Sequence, residues 1–191
     1  MCILKMIEEI ITTENPECHW GFANVKNRTV LDLGCGRVWN TDRERSSDKH
    51  LHWPDTPQFF LNRGARKVIG VDPRGYEILR YSDEYLYNDG KGLFLQGSVE
   101  TKQDMEYYLK YLLSEHGEKC IKCDIEHNES IIEDLDDHII NRVDEWYVEC
   151  HTNELYEKVV GKLSKTHDLF YVGHLRVPLL KRLWLYHIQK P

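Results

Sequence analysis

Five acidic or imidazole side chains sit where two apolar runs end: Asp124, Glu126 and His127 after one, Glu149 and His151 after the other. A carboxylate or imidazole placed there can take a proton from a hydroxyl, and an unperturbed imidazole titrates near neutrality. A third run, Thr29-Val-Leu-Asp-Leu-Gly-Cys-Gly36, ends in Asp32, Gly34, Cys35 and Gly36. Glycine suits a chain that must turn tightly out of a strand and let a ligand approach its backbone. A fourth, Lys67-Val-Ile-Gly-Val-Asp72-Pro73, closes on a carboxylate that can accept both hydroxyls of a ribose. A fifth ends Leu95-Gln-Gly97-Ser98-Val99.

These ends need a scaffold that brings them together. Apolar runs alternate with helical patterns along the chain, which is the pattern of a βαβ protein. Strands are expected at Thr29–Leu33, Lys67–Val71, Gly92–Gln96, Lys119–Asp124 and Asp144–Cys150, with a terminal pair at Leu169–Gly173 and Arg182–Ile188. Ile3, Ile7, Ile10 and Ile11 recur at helical spacing and predict a leading amphipathic helix. Thr101 and Asp104 form a capping-box pattern ahead of Met105, Tyr108, Leu109 and Leu112. Ile131, Leu135 and Ile139 make a second stripe, and Leu155, Val159 and Leu163 a third. The expected fold is a Rossmann-like, doubly wound α/β sheet of about seven strands. It is mostly parallel with an antiparallel C-terminal hairpin, carries helices on both faces, and forms a single domain over residues 1–191. All five strand ends then share the carboxyl edge, where open α/β sheets bind ligands. Residues 39–58 carry charge without periodicity. Such long unpatterned segments are usually functional or disordered, and a lid over the site is the favoured reading.

The segment Val-Leu-Asp32-Leu-Gly34-Cys-Gly36 resembles the first motif of class I S-adenosylmethionine (SAM)-dependent methyltransferases. That resemblance implies SAM as cofactor, held by Asp32, Gly34, Cys35, Gly36, Asp72, Pro73, Gly97, Ser98, Val99 and Asp124. The residues near Ser98 would flank the adenine, with serine standing where the family usually has an acid. A dinucleotide dehydrogenase is the nearest rival, but its third glycine position is Trp39 here. Asp72 follows Gly36 by 36 residues instead of about 20, and the 39–58 insertion accounts for the excess. Lys122-Cys-Asp124-Ile-Glu126-His127-Asn-Glu129 resembles the K-x-D-x-E-G-x-E motif of FkbM-like methyltransferases, with His127 in place of glycine. Glu149-Cys-His151 resembles their E-x-H strand ending. Asp124, Glu126, His127 and His151 are therefore the catalytic candidates. Asp124 would orient the sulfonium or the acceptor, and His151 or His127 would act as base. Two carboxylates with imidazoles could also hold a divalent ion, but no ligand spacing singles one out and no metal is expected.

Composition bounds the alternatives. The 191 residues carry a net charge of −7, which disfavours broad nucleic-acid binding. The charge is skewed: twelve acids against Arg142 from Asp124 to Glu157, then seven basic residues and one acid from Lys158 onward. No apolar stretch is long enough to span a bilayer, and Glu8 and Glu9 interrupt what a secretory leader would need. The expectation is a cytoplasmic protein with no membrane partner. Cys120 and Cys123 lie in one strand, pointing to opposite faces, and read as buried thiols in a disulfide-free chain. The function expected is O-methylation of a small molecule or sugar. The alternatives are an inactive SAM- or adenosine-binding module, or a methyltransferase acting on RNA or nucleotides.

Overall fold

The computed structural model describes residues 5–6, 20, 23–35, 56–73, 84–87, 90–175 and 183–189. One sheet joins the described strands. In chain order these are β1 (Lys5–Met6), β2 (Thr29–Leu33), β3 (Lys67–Asp72), β4 (Glu84–Tyr87), β5 (Gly92–Gln96), β6 (Lys119–Cys123), β7 (Glu145–Cys150), β8 (Asp168–Leu175) and β9 (Leu183–Gln189). Their order across the sheet is β1-β8-β9-β7-β6-β2-β3-β5-β4. The five central strands, β5-β3-β2-β6-β7, are parallel. Beside β7 lies β9, antiparallel to it and to β8.

Strand alternation builds a core on each face. Val30, Val68, Cys120 and Tyr147 face one side, where α1 (Thr56–Asn62) supplies Phe60 and the segment before β2 supplies Trp20, Ala23 and Val25. Leu31, Ile69, Ile121 and Trp146 face the other, against α2 (Lys102–Ser114), α3 (Ile131–Asp134), α4 (Asp137–Ile140) and α5 (Asn153–Leu163). The two cysteines divide as their odd spacing requires: Cys120 joins the first core and Cys123 the second, both free and buried. Helix α2 begins as its sequence dictates. The Thr101 side chain accepts from the Asp104 N–H, the Asp104 carboxylate accepts from the Thr101 N–H, and Met105, Tyr108, Leu109 and Leu112 are buried. Such a cap stabilises by about 1 kcal/mol. No helix among the described residues is long and apolar enough to cross a membrane.

Four expectations need correction. Within the segment where a leading helix was expected, Lys5–Met6 is a strand paired in parallel with Phe170–Tyr171, while Ile3, Ile7, Ile10 and Ile11 lie outside the described residues. Among the described residues the sheet has nine strands where about seven were expected, the second addition being β4 on the opposite edge, antiparallel to β5. Asp89-Gly90 ahead of β5 is a hairpin signal, and Gly90 takes φ 81°. The Ile131–Ile139 stripe is broken at Leu135, whose extended ψ of 145° ends α3. Residues 56–58, assigned to the unpatterned insertion, are the first turn of α1; residues 39–55 lie outside the described set.

Candidate functional site

The chain leaves the sheet centre in two directions, from β2 to β3 and β5 on one side and to β6 and β7 on the other. The carboxyl edge at that switch point is where doubly wound sheets bind ligands. A cavity of about 290 Å³ opens there. Its apolar walls are Val71, Pro73, Val99 and Ile125, with Gly34 and Gly97 giving backbone surface. Asp72, Ser98, Glu100, Asp124, Glu126 and Asn128 supply the polar lining. Four of these are carboxylates, and no lysine or arginine is among the described lining residues.

Backbone ladders set the spacing of this rim. Gly34 and Cys35 N–H both donate to Val71 O, at 2.9 and 3.1 Å. Asp124 N–H donates to Leu33 O, and Gly97 N–H to Asp72 O, each at 3.1 Å. Gly34 has φ 70°, and a Cβ there would lie 1.7 Å from the carbonyl oxygen of Asp124. Its lack of a side chain is thus demanded first by β6, not by a ligand. Gly97 is constrained similarly: a Cβ would lie 2.0 Å from the Tyr108 hydroxyl.

Of the residues expected to hold a cofactor, Gly34, Asp72, Pro73, Gly97, Ser98, Val99 and Asp124 line the cavity. Asp32 and Cys35 do not. Gly36 lies outside the described residues. Asp32 is fully buried and sits directly opposite Lys122 in the β2–β6 register, its Oδ1 3.1 Å from Lys122 Nζ. Cys35 is buried toward Gly70 and α1.

Lys122 is a residue that the sequence reading passed over. Its Nζ donates to Gly34 O at 2.6 Å and Leu33 O at 3.3 Å, and lies 3.6 Å from Asp124 Oδ2. It also sits 5.3 Å from the centre of the Trp20 ring. Burial opposes its charge, but Asp32 and then Asp124 outweigh that penalty and hold the ammonium well above its ordinary pKa. A lysine in the buried middle of β6, between Ile121 and Cys123, was the available signal, since a buried cation requires a paired anion.

The catalytic candidates gather at the ends of β6 and β7. His151 Nδ1 lies 2.9 Å from Glu129 Oε1, and the same carboxylate oxygen accepts the Ile125 N–H at 3.2 Å. His151 Nε2 lies 3.6 to 3.9 Å from oxygens of Glu126, Asp124 and Glu149. Burial lowers the imidazole pKa, but Glu129, Asp124 and Glu149 together push it up to about 9. In the unliganded chain His151 therefore keeps its proton at neutral pH, contrary to the expectation of an imidazole titrating near 6.5. His127 packs 4.9 Å from the His151 ring. Its φ of 81° follows 52° at Glu126, so the left-handed conformation that the glycine of the resembled motif would adopt freely is carried here by a histidine. Non-glycine residues held there cost about 1–2 kcal/mol and concentrate at functional sites.

A separate ionic cluster at the opposite edge belongs to the fold. Arg28 pairs with Glu118 and buried Glu145, and Tyr147 Oη donates to Glu145 Oε2.

No protein-family profile matches the chain, and no curated protein matches it at a significant level. Among solved structures it is similar to precorrin-6y C5,15-methyltransferase from Geobacter metallireducens GS-15. The TM-score is 0.46 at 10% identity, covering 87% of this chain and 81% of that one. It is also similar to SMU.1697c from Streptococcus mutans, a proposed methyltransferase in complex with SAH, with a TM-score of 0.40, 12% identity, and 87% and 88% coverage. At these scores the likeness identifies no ligand and no residue role.

Proposed function

We propose that this chain is a SAM-dependent methyltransferase acting on a hydroxyl of a small molecule or sugar. The observation that carries the reading is the division of the cavity. A nucleoside half is made by Asp72 and Gly97–Val99 at the ends of β3 and β5, and an acid–imidazole half by Asp124 and Glu126 next to His151. Asp72 offers a bidentate acceptor for a ribose diol, Val71 and Val99 offer apolar faces for a base, and Ser98 offers a hydroxyl for its edge. The dinucleotide-binding alternative loses support because that fold continues past its fifth strand with a parallel sixth, a place taken here by antiparallel β9. Four lining carboxylates also oppose a polyanionic acceptor such as RNA.

Methyl transfer from a sulfonium is an in-line displacement, so the protein chiefly positions the acceptor and removes its proton. Asp124, on the rim between the halves, would offer its carboxylate to a bound sulfonium, whose positive charge would oppose the proton on His151 and lower its pKa. The imidazole would then accept the proton of the acceptor hydroxyl as the oxygen–methyl bond forms and the methyl–sulfur bond breaks, leaving S-adenosylhomocysteine.

Calorimetry with SAM and S-adenosylhomocysteine tests the reading. Wild-type protein should bind both, and Asp72→Ala should bind about 10–100-fold more weakly, the loss of charge-assisted bonds of about 1.5–3 kcal/mol. Labelled-methyl transfer to a panel of hydroxyl acceptors tests the chemistry. Wild-type protein that ignores both ligands overturns the proposal.

A further inference from the structure

The sequence singles out no metal, yet folding concentrates carboxylates around one imidazole. One donor atom from each of Asp124, Glu129 and His151 lies within 4.8 Å of the other two. Glu129 Oε1 and His151 Nδ1, 2.9 Å apart, stand at about the 3.0 Å spacing of adjacent donors around an octahedral ion with bonds of about 2.1 Å. Glu129 is fully buried, and its second oxygen, Oε2, has no hydrogen-bond partner among the described residues. An orphaned oxygen of a buried carboxylate is costly unless a cation or donor reaches it. Oxygens of Asp124, Glu126, Glu129 and Glu149 all lie within 3.9 Å of a ring nitrogen of His151.

We propose that Asp124, Glu129 and His151 form a binding site for a divalent first-row metal ion at the wall of the cavity. One imidazole with two carboxylates suits Mn²⁺, Fe²⁺ or Zn²⁺ better than Mg²⁺ or Ca²⁺, which favour oxygen-only sets. The ion takes the place of the proton shared by Glu129 and His151. Asp124 lines the cavity, so coordination positions left open by the three protein ligands face the acceptor. An ion there would hold an oxygen of that acceptor and favour loss of its proton, in place of His151 acting as the base. The site stands on geometry alone, and only its role toward the acceptor rests on the methyltransferase reading.

The test uses the full chain, stripped with a chelator and titrated with Mn²⁺ and Zn²⁺ by calorimetry without SAM. One ion should bind per chain, and Glu129→Gln and His151→Gln should each weaken binding at least tenfold. Asp72→Asn, on the nucleoside wall, should leave ion affinity unchanged while weakening SAM. In wild-type protein, Mn²⁺ should broaden the imidazole NMR signals of His151 and His127 before that of His167, which is held at the far edge by Val143 O and Thr166. No binding of either ion at millimolar concentration overturns the site, as does binding that both glutamine variants retain or broadening that spares His151. SAM binding without ion binding would leave the methyltransferase reading standing and remove the metal alone.

Discussion

Replacing Gly34 with alanine tests whether the glycine turn exists for a ligand or for the sheet. The added Cβ would lie 1.7 Å from Asp124 O and 2.8 Å from Asp124 C, both backbone atoms. Reaching even the tightest tolerated contact requires β2 and β6 to separate by more than about 1 Å at their ends. The carbonyl of Gly34 is also tied to Lys122 Nζ at 2.6 Å, so the turn cannot swing away cheaply. Two costs combine: about 1–2 kcal/mol for a side chain at φ 70°, and about 1–3 kcal/mol for overpacking a rigid neighbour. The expected loss is about 2–5 kcal/mol. For a chain of this size that is roughly 5–15 °C in Tm, read by thermal and urea denaturation. Gly34→Asn separates the two terms, because asparagine tolerates the left-handed region but carries the same Cβ. It should remain within about 1 kcal/mol of Gly34→Ala if the collision dominates. An asparagine variant as stable as wild type would refute the collision, and an alanine variant unfolding at the wild-type midpoint would refute the whole account.

Gly97→Ala should also destabilise, through the Cβ contact of 2.0 Å with the Tyr108 hydroxyl; adding Tyr108→Phe should recover most of the loss, and no recovery would place the clash elsewhere. Lys122→Met should cost about 3–5 kcal/mol by removing the cation 3.1 Å from buried Asp32, whereas Lys122→Met with Asp32→Asn should be closer to wild type in urea midpoint. The His151 pKa of about 9 lies above its unfolded value of 6.5, so its stabilisation is complete below pH 6.5 and is lost as pH rises through 9. Unfolding free energy should fall by on the order of 3 kcal/mol across that interval, and His151→Gln should flatten the curve; identical profiles for the two proteins would show that the imidazole is not paired in solution.

Much of this architecture was legible because strand burial repeats every two residues and helix burial every three or four. Thr29–Leu33 and Gly92–Gln96 appear as read, and Thr101 with Asp104 starts α2 through local bonds that need no distant partner. The carboxyl-edge location of Gly34, Asp72, Ser98 and Asp124 follows from strand direction alone, which is a property of the chain. Other features depend on which strand lies beside which. Lys5–Met6 is extended because β8 offers an edge. Asp32 reads as a ligand contact until the β2–β6 register sets Lys122 opposite it. His151 reads as a neutral base until Glu129, 22 residues earlier, comes within 2.9 Å and holds its proton. Charge acts through space with a strength set by distance and burial, and neither quantity exists until strands far apart in the chain are brought into register.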